Sequence, residues 1–176
     1  NGCSLNEKRN DGTTSLLFAA QKGHVKVMQW LLENGASLSE KNELKTTSLL
    51  FAGLGGRKEA VEWLLENGAS LDEKNTYFET CMTISSRGGN LDLVKWLVLE
   101  KGCSLQQMSR KGTCIIEASY SGHVDIVVWM LNNGSSIDEN TRLDFRGNVV
   151  PTKSCQEVLK EKGLYEEVKS VLTTKS

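Results

Sequence analysis

Two histidines and five cysteines are among the residues of this 176-residue chain whose types could support nucleophilic, acid–base or metal chemistry. Cys114 and His123 could be drawn as a nucleophile and its base, yet no group is evident to orient the base or to hold an oxyanion. The cysteines, at 3, 81, 103, 114 and 155, are odd in number and contain no C-x-x-C spacing. That pattern argues against a zinc site or a disulfide framework and for reduced thiols. The glycine pairs at 55–56 and 88–89 lack the Lys-Ser or Lys-Thr that a phosphate loop requires. No catalytic, cofactor-binding or metal-ligating residue is therefore expected, and no cofactor.

The elements that would position these residues follow one period. "WLLENGASL" occupies 30–38 and returns at 63–71, and the four tryptophans fall at 30, 63, 96 and 129. Thr14, Thr47, Thr80 and Thr113 keep the same 33-residue step, as do Gly23, Gly56, Gly89 and Gly122. A threonine can cap a helix start and a glycine suits the left-handed residue that closes one, so segments such as "TSLLFAAQKG" predict helices of about two turns. The segments after the glycine, such as "HVKVMQWLLENG", place apolar residues at helical spacing before a second glycine. The unit is helix, turn, helix, extended turn. One such pair cannot bury its own apolar face, so neighbours must stack.

The period also demotes the chemistry. His24 and His123 occupy one repeat position three units apart, too distant in a linear stack to share a site. Cys3 and Cys103 stand where Ala36 and Ala69 stand, and Cys81, Cys114 and Cys155 share another slot, so both sets read as small buried thiols. The tryptophans, among Val and Leu neighbours, are expected to form a comparably shielded packing ladder. The mixed charges of "EKNE" and "DEKN" read as solvated turns.

The pattern resembles the ankyrin repeat, whose unit runs roughly G-x-T-P-L-H-x-A-A-x-x-G-H-x-x-x-V-x-x-L-L-x-x-G-A. "GTTSLLFAAQKGHVKVMQWLLENGAS" follows it closely, although Ser15, Ser48, Cys81 and Cys114 replace the proline and Leu17, Leu50, Thr83 and Ile116 the first histidine. The resemblance implies an all-α repeat solenoid of stacked helix-turn-helix units linked by β-hairpin-like loops. Residues 1–176 would form one ankyrin repeat domain, with 1–9 the tail of an upstream repeat and 10–42, 43–75, 76–108 and 109–140 as repeats. Residues 141–176, in which Ser154 and Gly163 stand in the Thr and Gly places after a longer loop, would form a divergent C-terminal capping repeat. The first residue is not Met, which suggests part of a longer chain.

In such stacks partners meet the hairpin tips and the concave face of the first helices. The tip position is held by Asp11, Leu44, Tyr77 and Arg110, and the last turn of the first helix by Gln21, Leu54, Arg87 and Tyr120. Large apolar, aromatic and arginine residues on wet turns are the types enriched in hot spots. Leu44, Leu54, Tyr77, Arg87, Arg110 and Tyr120 are therefore the candidate partner-binding residues. A net charge of −1 disfavours nucleic acid, and no apolar run reaches the roughly 20 residues that span a bilayer. The expected function is a non-enzymatic scaffold, monomeric and cytoplasmic or nuclear, that binds a partner protein. The alternative is a targeting or regulatory ankyrin region of a larger enzyme or pathogen effector whose catalytic domain lies elsewhere.

Overall fold

The structure, a computed structural model, describes residues 7–173; Cys3 and most of the 1–9 segment lie outside them. Among the described residues are ten helices and one two-stranded sheet, an all-α repeat solenoid of helix-turn-helix units joined by hairpin-like loops. The chain divides into two compact units, residues 1–81 and 82–176.

The first unit contains α1 (Ser15–Lys22), α2 (Val25–Glu33), α3 (Ser48–Leu54) and α4 (Lys58–Glu66). Each first helix begins where its threonine accepts a backbone bond, from Leu17 to Thr14 and from Leu50 to Thr47, both at 3.4 Å. Helix α1 packs against both α2 and α3, and α3 against α4. Leu16, Leu17, Ala19 and Ala20 of α1 and Leu49, Leu50 and Ala52 of α3 are buried, while α2 contributes Met28 and Leu31 and α4 contributes Ala60, Val61 and Leu64. The period-3.6 spacing read from the sequence thus becomes a shared core.

The second unit holds α5 (Cys81–Arg87), whose first residue falls at the division, then α6 (Leu91–Leu99), α7 (Cys114–Ser121) and α8 (Val124–Asn132). Thr113 starts α7 without a side-chain capping bond, contrary to the expectation for that threonine. The lengthened connection folds as an antiparallel hairpin of β1 (Thr141–Leu143) and β2 (Val149–Pro151). Its turn is held by Asp144, whose Oδ1 accepts from the amides of Arg146 at 2.8 Å and Asn148 at 2.9 Å. Helices α9 (Cys155–Glu161) and α10 (Tyr165–Thr173) follow, with α9 against α7 and α10 against α8. Ser154 starts α9 with a capping box, its amide donating to Glu157 at 2.7 Å. Lys160, Glu166, Glu167 and Lys169 are exposed, as a polar outer face requires.

The tryptophan ladder is not comparably shielded. Trp30 is 52% exposed and Trp96 is 3% exposed, with Trp63 and Trp129 between them. Each tryptophan immediately precedes a buried residue (Leu31, Leu64, Leu97, Met130), so it sits about 100° round the helix, at the edge of the buried stripe. Neighbours then decide its exposure, and Lys101 covers Trp96 with Nζ 4.8 Å from the ring centroid.

Stacking brings backbones close enough to dictate glycine. A Cβ on Gly55 would lie 2.0 Å from the Gln21 carbonyl oxygen, and a backbone atom cannot swing aside. Gly55→Ala should therefore destabilise by about 2 kcal/mol or more. Lys22→Ala, at the equivalent exposed position, should change stability by no more than about 0.5 kcal/mol. Urea unfolding of both variants checks this, and a parental midpoint for Gly55→Ala would show that the close approach imposes no constraint.

Candidate functional site

Four of the five thiols and the His123 imidazole take part in packing. Cys81, Cys103, Cys114 and Cys155 are buried thiols, none in a disulfide. Cys114 lies 3.5 Å from the Gln107 carbonyl and Cys155 3.1 Å from the Ser119 hydroxyl. Burial pushes the Cys155 thiol up from 9.0 to about 11 against the lowering effect of the Ser119 bond, and pushes Cys114 higher still. Neither can act as a thiolate near neutrality. His123 shares a 3.0 Å bond through Nε2 with the Arg87 carbonyl and lies over Gly89, where an added Cβ would meet Cε1 at 2.5 Å. Arg57 does the equivalent two repeats earlier in the sequence, donating from Nε to the Gln21 carbonyl at 3.4 Å over Gly23. At these two positions the residue after the glycine thus seals the end of the first helix of the preceding repeat. Among the described residues no group of three or more His, Cys, Asp or Glu could hold a metal ion.

The tips are held by backbone bonds from finger to finger. In the first unit the Glu43 amide donates to the Asp11 carbonyl at 3.0 Å and the Thr76 amide to the Leu44 carbonyl at 2.9 Å. Asn75 adds an internal brace, its Oδ1 accepting from the amides of Tyr77 at 2.9 Å and Glu79 at 3.1 Å. Lys45 (φ 60°) and Phe78 (φ 58°) adopt the left-handed conformation that Gly12 (φ 77°) supplies in the first finger. A non-glycine residue there costs roughly 1–2 kcal/mol, so the surrounding bonds must over-determine the turn. On this frame Leu44 is 43% and Tyr77 40% exposed, while Leu54 is half-buried.

In the second unit Arg87, Arg110 and Tyr120 are all half-buried. Arg87 faces a buried carboxylate, with Nε 3.9 Å from Oε2 of Glu117, which is 1% exposed. The hydroxyl of Ser109, itself buried, donates to the other Glu117 oxygen. Glu117 went unread in the sequence, although its signal was present. It stands in the slot that Phe18, Phe51 and Ile84 occupy in the other repeats. The fourth finger departs from the first unit's pattern. There the Leu143 amide bonds to the Ser109 carbonyl at 2.8 Å, and the Arg142 guanidinium, through Nη1, reaches the Arg110 carbonyl at 3.3 Å.

The loop carboxylates also differ from the solvated turns expected. Glu40 and Glu73 are half-buried, and each accepts from the capping threonine of its own repeat, Thr14 and Thr47. Their other oxygens accept from the amides of Ser37 and Ser70, both at 2.9 Å.

A stacked helix pair with bridged fingers defines a class, and a family model described as "Ankyrin repeats (3 copies)" matches residues 1–75 and 49–141. The chain belongs to the ankyrin repeat family. Ankyrin repeats are generally protein–protein interaction modules and typically non-catalytic. A search of curated proteins finds no match. Among the described residues no helix is long and apolar enough to cross a membrane.

Because Cys155 and Cys114 keep their protons longer in the folded chain than in the unfolded one, stability should fall as pH rises above 9. A Cys114→Ala/Cys155→Ala variant should lose less stability between pH 9 and 11 than the parent, read from urea midpoints across that window. Parallel losses in the two proteins would show that the thiols ionise freely.

Proposed function

We propose that this ankyrin array is a non-enzymatic scaffold that binds a partner protein through its finger tips and the last turns of its first helices. In the first unit the contact residues are Leu44, Leu54 and Tyr77, and in the second Arg87, Arg110 and Tyr120. The observation that carries the reading is the pair Leu44 and Tyr77. Two large apolar side chains stand about two-fifths exposed on turns braced by Asn75 and by the bond from Thr76 to Leu44. A surface fixed before contact loses little conformational entropy on docking. Arg87 contributes less free charge than its sequence position suggests, because Glu117 lies beside it. Four buried thiols without a disulfide suit the reducing cytoplasm or nucleus. The protein acts as a monomer in this reading, and its mechanism is surface complementarity.

The test compares parent and variants for capture of a partner and then for affinity. Tyr77→Ala and Tyr120→Ala should each weaken binding by about 2 kcal/mol wherever they are true hot spots. Their unfolding free energies should shift by less than about 1 kcal/mol. Substitutions at Lys26, Glu62 and Lys95, on the second helices, should leave affinity unchanged. If the second-helix variants lose the partner while the tip variants keep it, the binding face is wrongly assigned.

A further inference from the structure

Resting on the protein-binding reading, we infer that the second unit carries a recognition site for a phosphorylated serine of the partner, lined by Lys111, Tyr120, Arg142 and Thr152. These four residues enclose an open cavity of about 400 Å³ between the fourth finger, the end of α7 and the β1–β2 hairpin. Every one of them carries a side-chain hydrogen-bond donor, two are cations, and no carboxylate is among them.

The local carboxylates are already committed. Glu117 is buried against Ser109 and Arg87. Glu161 takes Lys153 Nζ at 2.6 Å, and Asp144 accepts from the turn amides of its own hairpin. Among the described residues no ion pair joins Lys111 or Arg142 to a carboxylate. The site is also braced. Arg142 is fixed by its bond to the Arg110 carbonyl, the Lys111 amide donates to Ser109 Oγ at 3.0 Å, and the Thr152 amide donates to the Asn140 carbonyl at 2.6 Å.

The donor set decides the ligand's chemistry. A carboxylate offers two oxygens and one negative charge, whereas a phosphoryl group offers three oxygens and a charge of about −1.5 to −2. Two cations with two hydroxyls match the second. Arginine supplies the planar fork suited to phosphate and lysine a point charge. The cavity exceeds the volume of a phosphoryl group alone, leaving room for the chain that bears it. Exposed Phe145 and Val149 on the adjoining hairpin offer apolar contact to flanking residues.

The test titrates the full chain with three fluorescent peptide pools, degenerate at flanking positions and centred on phosphoserine, serine or glutamate. The phosphoserine pool should bind at least tenfold more tightly than the other two and be displaced by inorganic phosphate. Lys111→Gln and Arg142→Gln should each reduce that binding at least tenfold. Should Arg142→Gln loosen the hairpin, Lys111→Gln, an exposed change that leaves the Arg142–Arg110 bond intact, still decides. Equal binding of all three pools, equal binding of the glutamate and phosphoserine pools, or insensitivity to Lys111→Gln would each overturn the site. So would preference for phosphatidylserine vesicles over the phosphoserine pool. A captured partner lost with Tyr77→Ala, yet held by Lys111→Gln and after phosphatase treatment, would leave the tip reading standing and remove this one. Phosphoserine binding with no partner sensitive to the tip residues would do the reverse.

Discussion

One threonine hydroxyl in each of the first two repeats links two pieces of chain 26 residues apart in sequence. Thr14 Oγ1 accepts from the Leu17 amide at 3.4 Å and donates to Glu40 at 2.5 Å, so the helix start and the end of the repeat's tail are tied together. The next residue, Lys41, bridges to Thr47, where the link is made again with Glu73. Apolar burial is the larger energy. Each of Leu16, Leu17, Leu49 and Leu50 stabilises by roughly 1.5–3 kcal/mol on leaving water. Burial is indifferent to direction, however, and a hydroxyl–carboxylate bond worth about 1.5–3 kcal/mol is not. Burial supplies stability and the link sets the offset of one repeat on the next.

The proposed binding surface depends on that offset. The tip bonds from Glu43 to Asp11 and from Thr76 to Leu44 form only if successive fingers arrive in register. Once they do, the turns can hold Lys45 and Phe78 in a conformation those residues resist. In the second unit the same tip position is bridged differently. The hairpin beginning at Thr141 substitutes the Arg142 guanidinium for a backbone amide at the Arg110 carbonyl. A cation is thereby drawn beside Lys111 and Tyr120 instead of extending into water.

Much of this was legible in the sequence because stacking demands repetition. The 33-residue step of Thr, Gly and Trp located the first four helix pairs, and Ser154 and Gly163 located the last. The glycines at 23, 56, 89 and 122 all adopt the left-handed conformation assigned to them. The tryptophans misled because periodicity fixes a helical position without fixing its exposure, and Trp30 and Trp96 share a slot but not their neighbours. Glu40 and Glu73 were periodic too, yet their partners lie 26 residues away, a separation that no helical or strand period marks. Glu117 and the Arg142 contact belong to single repeats. Features that occur once leave no period to read.

The most direct measurement of the central claim is a double-mutant cycle on Thr47→Val and Glu73→Ala, followed by urea unfolding. If the hydroxyl–carboxylate link sets the register, the two changes should couple by about 1–2 kcal/mol, because either one alone already breaks the bond. Losses that add to within about 0.3 kcal/mol would contradict the account and leave apolar packing alone to align the repeats.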